Sequence, residues 1–505
     1  MMKNFITYVL LVSMLVVPVS CLDKFPENAV LENSAITTVD EADQAMVGIY
    51  SSFLSGALYS GYLTLLPDIQ CDMVYAVNGY TNTFGDIWRW EILATNSQIE
   101  AVYGSLYSLI GNCNFLLDNA AKLEKTLTND TELDRLEIYC GEAYFARALA
   151  YSELIKLYCV DYKSDEEAKN ELGVVLKTKY YENQPIKRAS LYDSYQLVLS
   201  DLDKAAELLK LDEGYTSSDL YNSSVYFNEY TVYALRARVA LYMRDYEAAI
   251  KYSSKIIDSN MYLLSSVHSY IDGMSYYDYM WQYDHSSEVI WKVGFTPTNY
   301  GGALGTVFWN YDYSSFKPDY VPAKWVLDLY GANDLRSNTY FYNAQTGYSH
   351  GLAWPLLYKY WGNQSLYSEA QLLNTSMPKV FRLSEQYLIR AEAYCQLETP
   401  DYSRAGKDLS TLIAARCTNS SVALNASNAM EIIEQERIKE LYMEGFRLQD
   451  LKRWGKGFER TPQDQSLSNG SSLKITADNP LFVWPIPQHE IESPGADIEP
   501  NESNR

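Results

Sequence analysis

Apolar residues recur at intervals of three and four over long stretches of the chain, the spacing that puts side chains on one face of an α-helix. Between residues 131 and 158, Leu136, Cys140, Ala143, Tyr144, Ala148, Tyr151, Leu154, Ile155 and Tyr158 fall on one such stripe. The small residues in it leave room for a second helix to approach closely. The design returns at 228–258, where Tyr233, Ala234, Ala237 and Ala240 precede Arg244-Asp245-Tyr246 and then Ala248, Ala249 and Ile256. It returns again at 383–416, with Tyr387, Ala391, Ala393 and Tyr394 before Pro400-Asp401-Tyr402 and then Ala405, Leu409, Leu412 and Ala415. A looser candidate, Leu191 to Leu209, is expected to pair with the helix before it.

A helix, a short turn holding Asp-Tyr and a second helix with Ala near its start form a tetratricopeptide-like pattern, whose pairs stack because none buries its face alone. The predicted fold is therefore mainly α, a scaffold of helical pairs over about 95–258 and 377–457 within a single domain running from 21 to 505. Two segments break the pattern. Residues 59–92 and 261–375 are rich in Gly, Asn, Ser, Tyr and Trp and poor in Lys and Glu, and read as long irregular loop inserts of the kind that carries function. In the second, Tyr270, Tyr276, Tyr277, Tyr279, Trp281, Tyr283, Tyr300, Trp309, Tyr311 and Tyr313 keep neither a strand nor a helix period.

Composition narrows the partners. With 41 Lys and Arg against 64 Asp and Glu the net charge is −23, which argues against nucleic acid, since phosphate binding needs a basic stripe. Tyrosine is in surplus at 46, against 15 Phe and 10 Trp. A core takes apolar bulk more cheaply from Phe or Leu, so the surplus points to wet surfaces bearing flat amphipathic rings. The four histidines, His268, His285, His350 and His489, share no ligand spacing, and a histidine-built metal site is not expected. No cofactor is called for, and a bound calcium ion is left open.

The amino terminus is of another kind. Residues 1–20 carry Lys3 and then an uncharged, mostly apolar run, too short and too early for a membrane span, and read as a signal peptide. Cys21 follows directly in Val-Val-Pro-Val-Ser-Cys21 and resembles the lipidated cysteine of a bacterial lipobox, with Pro18 as a departure. No later stretch approaches 18 apolar residues, so a lipid on Cys21 would be the anchor. The six further cysteines read mostly as buried free thiols.

Residues 434–454, Glu-Gln-Glu-Arg-Ile-Lys-Glu-Leu-Tyr-Met-Glu-Gly-Phe-Arg-Leu-Gln-Asp-Leu-Lys-Arg-Trp, closely resemble the C-terminal signature of the SusD/RagB family, nutrient-uptake lipoproteins of the Bacteroidetes outer membrane. Similar stretches are Leu-Tyr-Ser-Leu-Ile-Gly-Asn-Cys-Asn-Phe-Leu-Leu at 106–117, Gly-Glu-Ala-Tyr-Phe-Ala-Arg-Ala-Leu-Ala-Tyr at 141–151, and Trp484-Pro485-Ile486-Pro487. The tail Ile-Glu-Pro-Asn-Glu-Ser-Asn departs from the family's Gln-Asn-Pro-Gly-like ending. The resemblance implies a SusD-like helical scaffold whose loops bind oligosaccharide, or in some members peptide. It also implies a lipid-anchored, surface-exposed protein of the outer membrane, acting as a lid on a TonB-dependent transporter of the SusC type.

Sugars are held by aromatic faces stacked on pyranose C–H groups, with amides and carboxylates taking the hydroxyls. Both kinds of group occur in the inserts, making Asp72, Tyr75, Tyr80, Trp88 and Trp90 in the first and Trp281, Tyr283, Tyr300, Trp309 and Tyr311 in the second the candidate ligand-binding residues. Trp88 and Trp90, two apart, are expected to face opposite sides of an extended segment, with one exposed. In the signature, Arg437, Glu440, Glu444, Arg447 and Asp450 step by three or four, which reads as a charge ladder steadying one helix rather than as acid–base or metal chemistry. A glycosidase would need two opposed carboxylates, and a tetratricopeptide scaffold binding only protein would leave the aromatic inserts without a purpose.

Overall fold

The computed structural model describes residues 36–505 except 182–185, 213, 312–313, 368–373, 419–420 and 469–471. Residues 1–20, read as a signal peptide, Cys21 and Tyr313 lie outside the described residues.

The periodic stretches are helices. Ser97–Leu123, Asp130–Tyr158 and Leu191–Leu208 pack in succession, followed by the pair Glu229–Tyr242 and Tyr246–Ile257 and the pair Leu383–Gln396 and Tyr402–Ala414. The Asp-Tyr turns work as helix starts. Asp245 accepts the amide of Ala248 at 3.0 Å and Asp401 that of Arg404 at 3.0 Å, each satisfying a donor that the first helical turn leaves free. Ala143, Ala146, Ala148 and Ala150 in the first pair, and Ala234 and Ala391 in the later ones, are fully buried, so the helices meet on their small residues.

The signature folds as two helices rather than one. Ala429–Glu440 ends where Met443 and Gly445 take positive φ of 59° and 84°, and Arg447–Trp454 begins again, closed by Gly455 in the left-handed region. A Cβ on Gly445 would sit 2.5 Å from the carbonyl oxygen of Leu63. The charges therefore form no ladder along one helix. Arg437 pairs with Asp450 at 2.8 Å and Arg447 with Asp72 at 2.8 Å, while Glu440 and Glu444 reach cations far along the chain.

The inserts are not free loops but a second core. Residues of 65–88 and 267–360 join Ile438, Tyr442, Met443 and Leu467 in one hydrophobic cluster. Strand Val74–Ala76 of the first insert pairs antiparallel with Tyr320–Pro322 of the second, with Tyr75 opposite Val321. At the root of the second insert, Val289–Lys292 pairs antiparallel with Lys379–Arg382, which returns the chain to the scaffold beside Leu383–Gln396. The described strands are short, none longer than five residues. The six described cysteines are free thiols, all buried except the half-buried Cys140.

Candidate ligand-binding site

Six of the ten residues singled out in the sequence belong to the core. Asp72 is buried and held by the guanidinium of Arg447. Tyr75, Trp88, Trp90, Trp281 and Trp309 are each no more than 7% exposed. Their polar atoms mostly serve the irregular backbone around them: the Trp309 indole donates to Leu357 O at 2.9 Å, the Trp90 indole to Gln70 O, and the Tyr75 hydroxyl to Thr461 O at 3.3 Å. Trp88 lies under the guanidinium of Arg460, 3.8 Å from the ring centroid, and Trp281 under the ammonium of Lys359 at 4.1 Å. Neither Trp88 nor Trp90 is exposed, because the segment is not extended: Gly85–Trp88 is a helical turn and Trp90 has φ 61°, which rolls both rings inward. Tyr80 is half-buried and tethered by Arg89 at 3.0 Å. Tyr300 and Tyr311 are exposed, Tyr311 leaning on Phe316.

Tyr283 is different, for it lines an open cavity of about 350 Å³ on the second insert with Gly273, Met274, Asp278, Gln282, Asn338, Thr339, Tyr358 and Gln364. Local sequence explains the walls. Asp272-Gly273 is a two-residue hairpin turn, both at positive φ (50° and 81°), joining Tyr270–Ile271 to Met274–Ser275. Ser275 then caps the helix Tyr276–Tyr283, its hydroxyl accepting the amide of Asp278 at 3.0 Å and donating to the Asp278 carboxylate at 2.6 Å. Asp278 and Gln282, four apart, share a face of that helix, as do Tyr279 and Tyr283, whose rings stack at 4.9 Å. Opposite, Arg336–Tyr340 supplies Asn338 and Thr339, and the Thr339 hydroxyl donates to Asp278, locking the two helices. Tyr358 follows strand Pro355–Leu357, with its ring against Tyr342 at 5.7 Å and Trp361 at 5.6 Å. Burial, then Tyr342, then the Asp278 carboxylate push the Tyr358 phenol above its ordinary range. Asp278, Gln282, Asn338, Thr339, Tyr358 and Gln364 were not singled out in the sequence. The hairpin dipeptide followed by Ser275-x-x-Asp278 is the signal that marks this corner.

Behind the cavity lies a mesh of buried charge. Arg336 bonds Asp334, Glu436 and Glu440; Arg382 bonds Glu288, Glu440 and Glu444; Arg416 bonds Glu288 and Glu440. Burial alone would raise the Glu440 carboxyl, but Arg416 and Arg382 outweigh it and hold it well below the usual range. Lys359, buried against Glu444 at 2.6 Å, has its ammonium lowered to about 8 by desolvation.

Two further cavities lie on the scaffold, one of about 480 Å³ beside Asp161, Arg244 and Trp454 and one of about 240 Å³ beside Tyr103 and Tyr180. In the larger, Arg244 is paired with Asp161 and one face of Trp454 is covered by Arg453 at 4.4 Å. Among the described residues no group of three or more His, Cys, Asp or Glu is arranged to hold a metal, and no helix is long and apolar enough to cross a membrane.

Known proteins place this architecture. Residues 311–496 match the model of the SusD family, and residues 22–241 match a family described as starch-binding and associating with the outer membrane. SusD-like protein P25 of Formosa agariphila is 22% identical over 90% of this chain and 90% of its own length. SusD-like protein P2 of the same organism is 25% identical over 41% of this chain, which spans only 38% of that relative's length. Among solved structures, a SusD superfamily protein of Bacteroides thetaiotaomicron superposes with a TM-score of 0.77 at 24% identity, covering 92% of this chain and 99% of that one. A putative sugar binding protein of Bacteroides vulgatus does so at 0.75 and 23%, covering 94% and 100%.

Proposed function

The chain belongs to the SusD family, and on that premise we propose that it binds an oligosaccharide in the open cavity of the second insert and passes it on unaltered. One observation carries the reading: the rings of Tyr283 and Tyr358 line the same cavity as the amides of Gln282, Asn338 and Gln364 and the carboxylate of Asp278. Flat amphipathic rings supply area to the apolar face of a pyranose, and amides and carboxylate take its hydroxyls. The exposed Tyr342 extends the aromatic surface beyond the cavity rim through its contact with Tyr358.

Binding without cleavage fits the same list of groups. Hydrolysis of a glycosidic bond uses two opposed carboxylates, and Asp278 is the one carboxylate among the described residues of the lining. Lipid on Cys21 would tether the protein to the outer membrane and hold it over a TonB-dependent transporter of the SusC type. Weak, many-point contacts suit that task, since a carrier must release its ligand.

Purified protein is to be tested by calorimetry against oligosaccharides and against peptides, with chromatography of the recovered ligand. The expected result is binding of an oligosaccharide that is recovered intact and is lost in a Tyr283→Ala/Tyr358→Ala double variant. Binding of peptides alone, or shortened sugar products, would sink the reading. Copurification of a tagged form with an outer-membrane transporter tests the partnership.

A further inference from the structure

The cavity has a definite charge. Nine described residues line it, and among them are no Lys, Arg or His; Asp278 is the one Asp or Glu, beside the phenols of Tyr283 and Tyr358. Both Asp278 oxygens accept bonds from hydroxyls, Oδ2 from Ser275 and Oδ1 from Thr339. Neither partner is a cation, so no ion pair offsets the carboxylate at the wall.

The cations packed behind the cavity do not cancel it. Arg336, two residues before Asn338, is buried and held by Asp334, Glu436 and Glu440. Lys359, next to Tyr358, is buried against Glu444 and the carbonyl of Tyr442. Lys379 is buried on Asp284, one residue past the helix that carries Gln282 and Tyr283. Each is neutralised on the inner side, which leaves the outer side facing one uncompensated acid in a chain whose net charge is −23.

Resting on the oligosaccharide reading above, we infer that Asp278 sets the charge class of the ligand, so that the site takes neutral glycans and rejects those bearing uronate or sulfate groups. A ligand carboxylate or sulfate within several ångströms of Asp278 meets like-charge repulsion in a half-enclosed site, and finds no cation among the described lining residues to turn to. A neutral sugar instead finds an anionic acceptor for two of its hydroxyls, a stronger bond than a neutral acceptor gives.

The test uses two pools of hexasaccharides, one neutral (glucan, xylan, mannan, galactan) and one anionic (polygalacturonate, alginate, sulfated galactan), titrated at low and physiological salt. The wild-type protein is expected to bind a neutral member at least tenfold more tightly than any anionic one. Asn338→Lys, which places a cation at an exposed position of the rim, is expected to narrow that gap at least fivefold, and Asp278→Asn to weaken the neutral ligand while narrowing it further. Because Asn338 is exposed, the first variant folds even where loss of the Asp278 cap disturbs the helix. A wild-type preference for an anionic glycan, or a gap unchanged in Asn338→Lys, overturns the inference and leaves the binding reading intact. Binding of neither pool overturns both.

Discussion

The scaffold and the insert bury polar groups by opposite means. In the scaffold, charge is buried in small groups between neighbouring helices: Arg147 on Asp201 at 2.7 Å, Arg238 on Glu385 at 2.6 Å, and Arg390 on Asp408 at 2.8 Å and Asp258 at 2.9 Å. The helical backbone satisfies itself, so Ala-lined faces suffice between those pairs. In the insert, and where the signature meets it, the backbone is irregular, and its carbonyls are met by side chains. Tyr320 donates to Thr83 O at 2.6 Å, Tyr330 to Lys439 O at 2.9 Å, Tyr360 to Met443 O at 2.8 Å and Tyr442 to Met73 O at 3.0 Å. The tyrosine surplus is thus largely a structural requirement. A ring that fills a core and carries a donor at its far end replaces the ladder of bonds that regular structure would have made.

The strongest way to break the comparison is at Glu440, which takes Arg336, Arg382 and Arg416 together, where Asp201 takes Arg147 alone. Glu440→Ala leaves three buried cations short of a partner and is expected to cost about 4 kcal/mol, against about 3 kcal/mol for Asp201→Ala. Urea denaturation of both variants measures it; equal losses would mean that the mesh behaves as separate pairs. Gly445→Ala attacks the same junction through the backbone. Its φ of 84° and the 2.5 Å approach of Leu63 O predict a loss of about 3 kcal/mol in the same assay.

A pH test separates a lone buried acid from the mesh. In the scaffold, Glu142 is buried and accepts only the Tyr50 hydroxyl, at 2.6 Å, and burial raises its carboxyl to about 7 from the ordinary 4.5. The folded state therefore holds this proton more tightly than the unfolded one. Its contribution to stability is full below about pH 4.5 and is lost as pH rises through about 7. Glu142→Gln keeps the acceptor and removes the titration, so at pH 8 the variant is expected to be more stable than the parent by about 2 kcal/mol, with no gain at pH 4. Glu440 predicts the reverse slope, because its carboxyl is held low by three guanidinium groups: its contribution is present above the ordinary carboxylate range and lost only in acid.

Much of the scaffold was legible because helical periodicity is local. The stripes through Ala148 and Tyr151, and the capping Asp245 and Asp401, need no knowledge of distant residues. Family membership was legible in the signature of 434–454, yet its shape was not. The step of three and four suggested one helix, and only the tertiary demand that Gly445 fit against Leu63 reveals why it breaks. The site was least legible. Counting aromatics found Tyr283 but also Trp88, Trp281 and Trp309, since a tryptophan that anchors an irregular core and one that meets a sugar look alike in sequence. The polar half, Gln282, Asn338 and Gln364, comes from three separated segments and carries no spacing signal at all.

Hydroxyl donors sharpen the comparison at smaller cost. Tyr360→Phe in the insert orphans the carbonyl of Met443 in the signature and is expected to lose about 1.5 kcal/mol, whereas Tyr233→Phe on the scaffold frees only the partly solvated carboxylate of Glu229 and should cost under about 0.5 kcal/mol. Similar losses from both would show that the insert backbone does not depend on tyrosine.

The smallest effects belong to aromatics that are exposed yet lie away from the cavity. Tyr300 and Tyr311 are 41% and 42% exposed, and neither lines the pocket that Tyr283 and Tyr358 share. If exposure alone made a sugar platform, Tyr300→Ala and Tyr358→Ala would weaken the glycan alike. If convergence with amides is what matters, Tyr358→Ala is expected to lose about tenfold in affinity, about 1.4 kcal/mol, and Tyr300→Ala less than about twofold, with Tyr300→Ala within about 0.5 kcal/mol of the parent in stability. Calorimetric titration of the two variants with the neutral ligand decides between them, because a ring standing alone in water offers a sugar one face and nothing to hold its hydroxyls.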